Sequence, residues 1–302
     1  AESQKVVSLE EAIRRSGLKD GMTVSFHHHF RGGDKVLNMV MDKIAEMGIK
    51  DLHVAASSLN DVHKPLIEHI KNGVVTRIST SGMRGELAKA ISHGILKEPV
   101  VFRSHGGRGS AIANGDIHID VAFLGASSCD PMGNSCGFSR SENAKSICGS
   151  LGYALPDARY ADNVVIDSVG DSSKIASGAI RDTKNPRDIL LAKEACKVIV
   201  NSGYFKEGFS IQTGSGGASL AVVKYLRQTM IDQNVKASFA LGGITAHMVK
   251  LHEEGLIDHL IDVQSFDKVA AESIKVDPKH KEVSANEYAS ADEPGAATKF
   301  LD

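Results

Sequence analysis

An α/β fold built from two related parallel-sheet units is predicted by three features of this sequence. The chain repeats itself: residues 24–82 and 208–266 can be laid over each other with an offset of about 182 to 186 residues. Both copies read as apolar strand, paired glycines, amphipathic helix, second strand, short helix and third strand. Gly32 and Gly33 fall on Gly216 and Gly217, Ile49 on Val235 and Gly73 on Gly255. The strand, helix, strand order at this spacing favours right-handed βαβ crossovers, which place successive strands parallel in one sheet. Finally, 302 residues with 42% apolar and 24% charged side chains can fill the cores of two ordinary soluble domains.

Taken in order, Ser8-Leu-Glu-Glu11 opens the first helix as a capping box, in which the serine accepts a backbone N–H bond and Glu11 returns one. Val24–Phe26 is the first strand. The next helix puts Leu37, Val40, Ile44 and Met47 on one face and ends at Gly48. A helix at Gly85–His93, a strand at Pro99–Phe102, a loop SHGGRG and an apolar strand at Val121–Gly125 follow, then the turn-rich SSCDPMGNSCGFS. Asn185-Pro-Arg-Asp188 starts the long helix that leads into the second copy, so the expected domains are 1–178 and 179–302. The repeat carries Asp302 onto Asp120, the residue before the Val121–Gly125 strand. The second unit is therefore expected to be incomplete at its C-terminus and the natural polypeptide longer, because a sheet left one strand short exposes an edge.

A net charge of −2 provides no basic surface for nucleic acid or membrane. No apolar run approaches the roughly 18 residues that cross a bilayer. The opening AESQKVVSLEEAIRRSG lacks a secretory apolar region, so the cytoplasm is the expected location. Cys129, Cys136, Cys148 and Cys196 have no CxxC spacing and read as reduced structural thiols.

Four glycine loops sit at the ends of predicted strands: Phe30–Lys35 (FRGGDK), Ser104–Gly109 (SHGGRG), Gln212–Ser219 (QTGSGGAS) and Leu241–Thr245 (LGGIT). In open parallel sheets ligands bind beyond the carboxyl ends of strands. Glycines there let backbone N–H groups approach an anion, and a following helix N-terminus adds favourable partial charge. Phosphate, carboxylate and a developing oxyanion all fit. A tight turn without a ligand explains any single loop equally well, but two loops at equivalent places in a repeat favour function. GSGGAS lacks the third glycine of a dinucleotide fingerprint, and neither a Walker sequence nor a GxSxG elbow occurs.

His27, His28 and His29 suggest a metal at first sight. Neighbouring strand residues alternate faces, so only His27 and His29 can point together, and no HExxH supports them. A site-lining, hydrogen-bonding role is expected, and no metal. Arg31, Arg84, Arg108 and His105 lie on or beside loops where they could clamp carboxylates.

The strings VSFHHHFRGGDKVLNMVM, STSGMRGELAKAIS, SHGGR with IDVAFLGASSCDPMGN, SGYFKEGFSIQTGSGGASLAV and SFALGGIT resemble the alpha chains of citrate lyase, the citrate:acetyl-carrier-protein transferase subunits, along essentially all 302 residues. The resemblance implies the coenzyme A transferase fold, two related α/β halves with the active site between them. It also implies carrier (gamma) and citryl-lyase (beta) partner subunits, an oligomer, and citrate and acetate as ligands. No intrinsic cofactor is implied, since the reacting thioester sits on the CoA-derived prosthetic group of the acyl-carrier protein. Family members are longer at the C-terminus and carry an extra segment where this chain runs from Val165 to Ile166, so a break is expected at that junction.

In such enzymes citrate displaces acetate from a carrier thioester through a mixed anhydride, and each step develops an oxyanion. By position, Gly32, Gly33, Gly216, Gly217, Gly242 and Gly243 are expected at the acyl site, and Arg31, Ser81, His105, Arg108 and Thr213 at the substrate. Two other readings stay open: a coenzyme A transferase with a glutamyl thioester intermediate, and a non-catalytic sugar-phosphate sensor.

Overall fold

The computed structural model describes residues 5–138, 146–178 and 183–289. The chain parts into two compact units, one formed by residues through Ile175 together with those from Ser284 on, the other by Ala176–Val283. The first boundary lies close to the expected one. The expected second domain differs in that its last described helix belongs to the first unit.

The first unit contains α1 (Leu9–Arg15), β1 (Thr23–Phe26), α2 (Val36–Glu46), β2 (Leu52–Ala56), α3 (Leu66–Lys71), β3 (Val75–Thr80) and α4 (Gly85–Ser92). It continues through β4 (Val101–Phe102), α5 (His105–Ala113), β5 (Val121–Gly125), a small hairpin of β6 (Ser128–Cys129) and β7 (Ser135–Cys136), α6 (Leu155–Tyr160) and β8 (Asn163–Asp167). Its main sheet has the order β4-β3-β2-β1-β5-β8, with every pair parallel. One face of the sheet is covered by Ile13, Leu37, Val40, Met41, Ile44, Leu66 and Leu87 from α1 to α4. A second cluster, with Ala55, Ala122 and Leu124 from the strands and Ala111 and Ile112 from α5, forms a separate core. The central β1 and β5 are buried along their whole length, as strands covered on both faces are.

The second unit contains α7 (Pro186–Asn201), β9 (Phe209–Ile211), α8 (Gly217–Gln233), β10 (Ala237–Ile244), α9 (Ala246–Glu253), β11 (Ile257–Ser265), α10 (Lys268–Val276) and β12 (His280–Glu282). Its sheet order, β12-β11-β10-β9, repeats the β4-β3-β2-β1 order of the first unit. Thus the duplication read from the sequence is also a duplication of topology. Among the described residues this sheet has no counterpart of β5 or β8, and the expected end at Asp302 lies outside them. After β12, α11 (Ala285–Ala289) returns to the first unit, where the Ala285 N–H donates to the Gly152 carbonyl at 3.0 Å.

Several local expectations need correction. Ser8 Oγ accepts from the Glu11 N–H at 3.2 Å, but Glu11 turns its carboxylate to Arg14 and Arg15 instead of closing the capping box. The Pro99–Phe102 strand shortens to Val101–Phe102. SHGGRG is not a loop: Ser104 caps α5 by accepting the Gly107 N–H at 3.0 Å, and His105 onward is helical. LGGIT is also no loop, because β10 runs through it to Ile244 with a bulge between Gly242 and Gly243. At the Val165–Ile166 junction β8 spans Asn163–Asp167, its residues paired one for one with Val121–Gly125 of β5.

Candidate functional site

In the first unit, a buried polar cluster lies where β1 ends. His27, His28 and His29 are all buried, as are Asp34, His63, Arg108 and Asp157. The rings of His27 and His29 stack with centroids 5.5 Å apart and planes 10° from parallel, so the two histidines that strand alternation would pair do lie together. His27 Nε2 lies 3.1 Å from Asp157 Oδ2. Arg108, from α5, grips the same carboxylate with two parallel bonds, Nη1 to Oδ2 at 2.8 Å and Nη2 to Oδ1 at 2.6 Å. Its Nη2 also donates to the Ala55 carbonyl at 3.1 Å.

Burial alone would disfavour the Asp157 anion, but the Arg108 guanidinium and His27 hold its carboxyl well below the usual carboxylate range. Arg108 is therefore corrected: the carboxylate it clamps is the protein's own. Sequence reasoning missed Asp157 entirely, since a single aspartate in LPDARY has no pattern. What could have flagged it is the arginine in an otherwise small-residue helix, which needs a buried counter-charge.

His28 Nδ1 is 3.0 Å from Ser57 Oγ. Asp34 Oδ2 is 2.8 Å from His63 Nε2, while His63 Nδ1 accepts the Asn60 N–H at 2.9 Å. That acceptance fixes the tautomer, with the Nε2–H donating to Asp34. Burial, followed by the Arg31 charge and the neighbouring histidines, pushes His28 well below the ordinary histidine value. His29 is lowered in the same way by burial, then His27 and Arg31, against a weaker opposing pull from Asp157.

Arg31 opens the 3-10 turn Arg31–Gly33 with a left-handed φ of 58°, an uncommon conformation for a residue with a side chain. The two glycines of that turn differ. Gly32 is exposed, and a Cβ there would find nothing nearer than Lys174 Cβ at 3.9 Å. Gly33 is buried, its N–H donates to the Phe30 carbonyl at 2.9 Å, and a Cβ would stand 2.0 Å from the Asp171 carbonyl oxygen. Gly33 is thus a packing glycine whose donor is already used, which removes it from the expected oxyanion donors.

His105 begins α5 and tilts against Tyr153 with centroids 4.6 Å apart. Desolvation of its ring, then the Arg108 and Arg31 charges, lower its pKa. Ser81 follows β3, and its Oγ has no hydrogen-bond partner among the described residues. Arg84 is exposed just before α4.

In the second unit, Thr213 Oγ1 is also buried without a partner among the described residues. Beyond it, Gly214, Ser215, Gly216 and Gly217 are exposed. Gly216 is the N-cap of α8, with an ordinary φ of −74°, and no side chain caps the helix. A Cβ at Gly216 would meet nothing within 4 Å, and one at Gly217 only Asp188 Oδ2 at 3.6 Å. The seventeen-residue α8 therefore presents an open N-terminus with its positive dipole end. Gly242 and Gly243 are different. Gly242 has a φ of +98°, and a Cβ at Gly243 would lie 1.9 Å from the Phe266 ring. Fold geometry accounts for both, so they leave the expected acyl site.

Among the described residues, one group has metal-ligand character: His118, Asp120 and Asp162. It lies at the amino ends of β5 and β8, the opposite end from the histidine cluster, and is accounted for internally. His118 Nε2 is 2.9 Å from Asp162 Oδ2, and Asp120 Oδ2 accepts the Thr23 N–H at 2.7 Å. No described helix is long and apolar enough to cross a membrane.

Comparison with known proteins identifies a family. A family model described as Citrate lyase, alpha subunit (CitF) matches residues 2–166 and 164–302, two stretches that meet at the Val165–Ile166 junction. A citrate lyase alpha chain of Haemophilus influenzae is 57% identical over 321 aligned residues, covering 98% of this chain and 63% of that protein. The chain therefore spans less than two thirds of the length of this relative. A solved Streptococcus mutans structure, described as an alpha subunit of citrate lyase in complex with citrate, is 53% identical, with a TM-score of 0.93 over 98% of this chain and 63% of that one. At 13% identity, the alpha subunit of a malonate decarboxylase from Acinetobacter baumannii shares the fold, with a TM-score of 0.61 over 90% of this chain and 53% of that one.

Proposed function

Because this chain belongs to the citrate lyase alpha-subunit family, we propose that it exchanges acyl groups on a carrier-protein thioester, converting citrate and acetyl-carrier protein to citryl-carrier protein and acetate. A citrate carboxylate attacks the acetyl thioester carbonyl. The C–S bond breaks, leaving a mixed citryl-acetyl anhydride and the carrier thiolate. That thiolate attacks the citryl carbonyl, the anhydride C–O bond breaks, and acetate departs. Electrons and atoms balance without a protein nucleophile. The thioester arrives on the CoA-derived arm of an acyl-carrier protein, as substrate. Carrier and citryl-lyase subunits would be the partners, in a cytoplasmic oligomer.

Each step develops negative charge on a carbonyl oxygen, and backbone N–H groups aimed at it are worth about 3 kcal/mol per donor. The observation that carries the reading is the uncapped start of α8. Gly216 and Gly217 are exposed, free of positive φ and free of close neighbours, so the fold does not require glycine, whereas a closely approaching acyl group would. In the first unit we assign Gly32 to the acyl group and Arg31, Ser81 and His105 to the substrate, with Thr213 of the second unit as a further substrate residue. The citrate bound by the Streptococcus mutans relative supports citrate as the acid.

The test is acetate release from acetyl-carrier protein with and without citrate, followed by hydroxylamine and borohydride trapping. Citrate-dependent release with an unmodified chain is expected. A trapped glutamate would replace direct exchange with the glutamyl route, and release indifferent to citrate would overturn the proposal.

A further inference from the structure

His29 is 4% exposed, yet neither ring nitrogen has a hydrogen-bond partner among the described residues. Burying such a group without a partner is expensive, and native structures rarely do so without a reason. The surroundings show that the ring is nevertheless held firmly. It stacks on His27, His27 leans on Asp157, and Asp157 is locked by the two-pronged grip of Arg108. Arg108 is tied in turn to the backbone of β2 through Ala55. His27 after β1, Asp157 of α6, Arg108 of α5 and Ala55 of β2 thus fix the orientation of one imidazole that makes no hydrogen bond to the described residues. Asp157, the acid that acts on His29, makes no hydrogen bond to either of its ring nitrogens and spends its own oxygens on Arg108 and His27.

The other groups acting on His29 are His27 and the Arg31 guanidinium. Ser25, two residues before His27 on the same side of the chain, is also fully buried, and its hydroxyl has no hydrogen-bond partner among the described residues. The occupant that suits this environment is an anionic acceptor, and a carboxylate matches a neutral N–H donor beside a guanidinium.

We propose that His29 is a binding residue for a substrate carboxylate, and that Arg108, Asp157 and His27 are positioning residues that hold its ring. The inference rests on the citrate reading above and refines it by naming the contact. Replacing His29 by phenylalanine keeps the ring and its stack but removes both nitrogens. Removing an unpaired buried polar group leaves stability equal or higher. Losing a hydrogen bond to a charged ligand weakens binding by about tenfold to a hundredfold.

The experiment is citrate titration by calorimetry on the unaltered 302-residue chain and on His29→Phe, with thermal melting of each. The expected result is weaker citrate binding by His29→Phe at an unchanged or raised Tm, with partial recovery in His29→Gln, which restores an N–H donor. Unchanged affinity in His29→Phe overturns the inference and leaves the citrate reading intact. A lowered Tm accompanying lost affinity also overturns it, by showing that the ring is structural. No citrate binding by the unaltered chain overturns the citrate reading itself, and this inference with it.

Discussion

After β1 the chain turns through His27–Asp34, and after β9 it turns through Gln212–Gly217. The repeat makes these segments equivalent, each joining the first strand of its unit to the following helix. In the first, Gly33 packs against the Asp171 backbone, Asp34 engages His63, and His27 is tied through Asp157 to Arg108. In the second, Gly216 and Gly217 touch little, and no side chain caps the helix they open. Equivalent glycines therefore have different physical justifications: Gly33 admits the protein's own backbone, while Gly216 and Gly217 leave space that no described residue fills. A glycine whose φ and neighbours do not demand it is better evidence for a ligand than a glycine that the turn requires.

The contrast can be broken most forcefully at its committed end. Arg108→Met leaves the buried Asp157 carboxylate without its main counter-charge, and we expect a loss of about 3–5 kcal/mol in urea unfolding at pH 7. A loss under about 1 kcal/mol would mean that the grip on Asp157 is incidental. The pH dependence follows from the same pair. The folded-state pKa of Asp157 is depressed, so its stabilisation is present above the unfolded value of about 3.9 and is lost as pH falls through the lower folded value. Urea midpoints measured from pH 7 down to pH 3 should therefore hold their Asp157 contribution at pH 5 and begin to lose it near pH 4. Asp157→Asn should remove that part of the acid slope.

Gly33→Ala comes next in size. Its Cβ would sit 2.0 Å from a backbone oxygen, which no side-chain rotation relieves, so a cost of about 3 kcal/mol is expected. The smallest effect belongs to Gly217→Ala, where the added methyl has room and alanine favours the helix. Stability there should change by no more than about 1 kcal/mol, in the stabilising direction. If the two alanine variants lost equal stability, the distinction between the loops would fail.

Much of this architecture could be read from the repeat. It placed β1 to β3 and β9 to β11, their parallel pairing and the helix after each glycine pair, because period and spacing are local properties that packing merely completes. The errors arose where local sequence leaves the backbone undecided. SHGGRG reads as a loop on its glycines, yet Ser104 supplies a cap that lets α5 begin there. LGGIT reads as a turn, yet pairing with β11 draws both glycines into a bulged strand. Arg108 was visible as a cation but its partner was not, since Asp157 lies 49 residues away and meets it only in the folded unit. His29 was visible as one of three histidines. Its lack of a hydrogen-bond partner became evident only once its neighbours were in place.

The central claim is that the open glycine pair before α8 serves the reacting acyl group and not the fold. It is tested most directly by the rate of citrate-dependent acetate release from acetyl-carrier protein with Gly217→Leu, measured alongside its Tm. The expected result is a fall of about 10²–10³ at an essentially unchanged Tm. Exchange at the parent rate would contradict it.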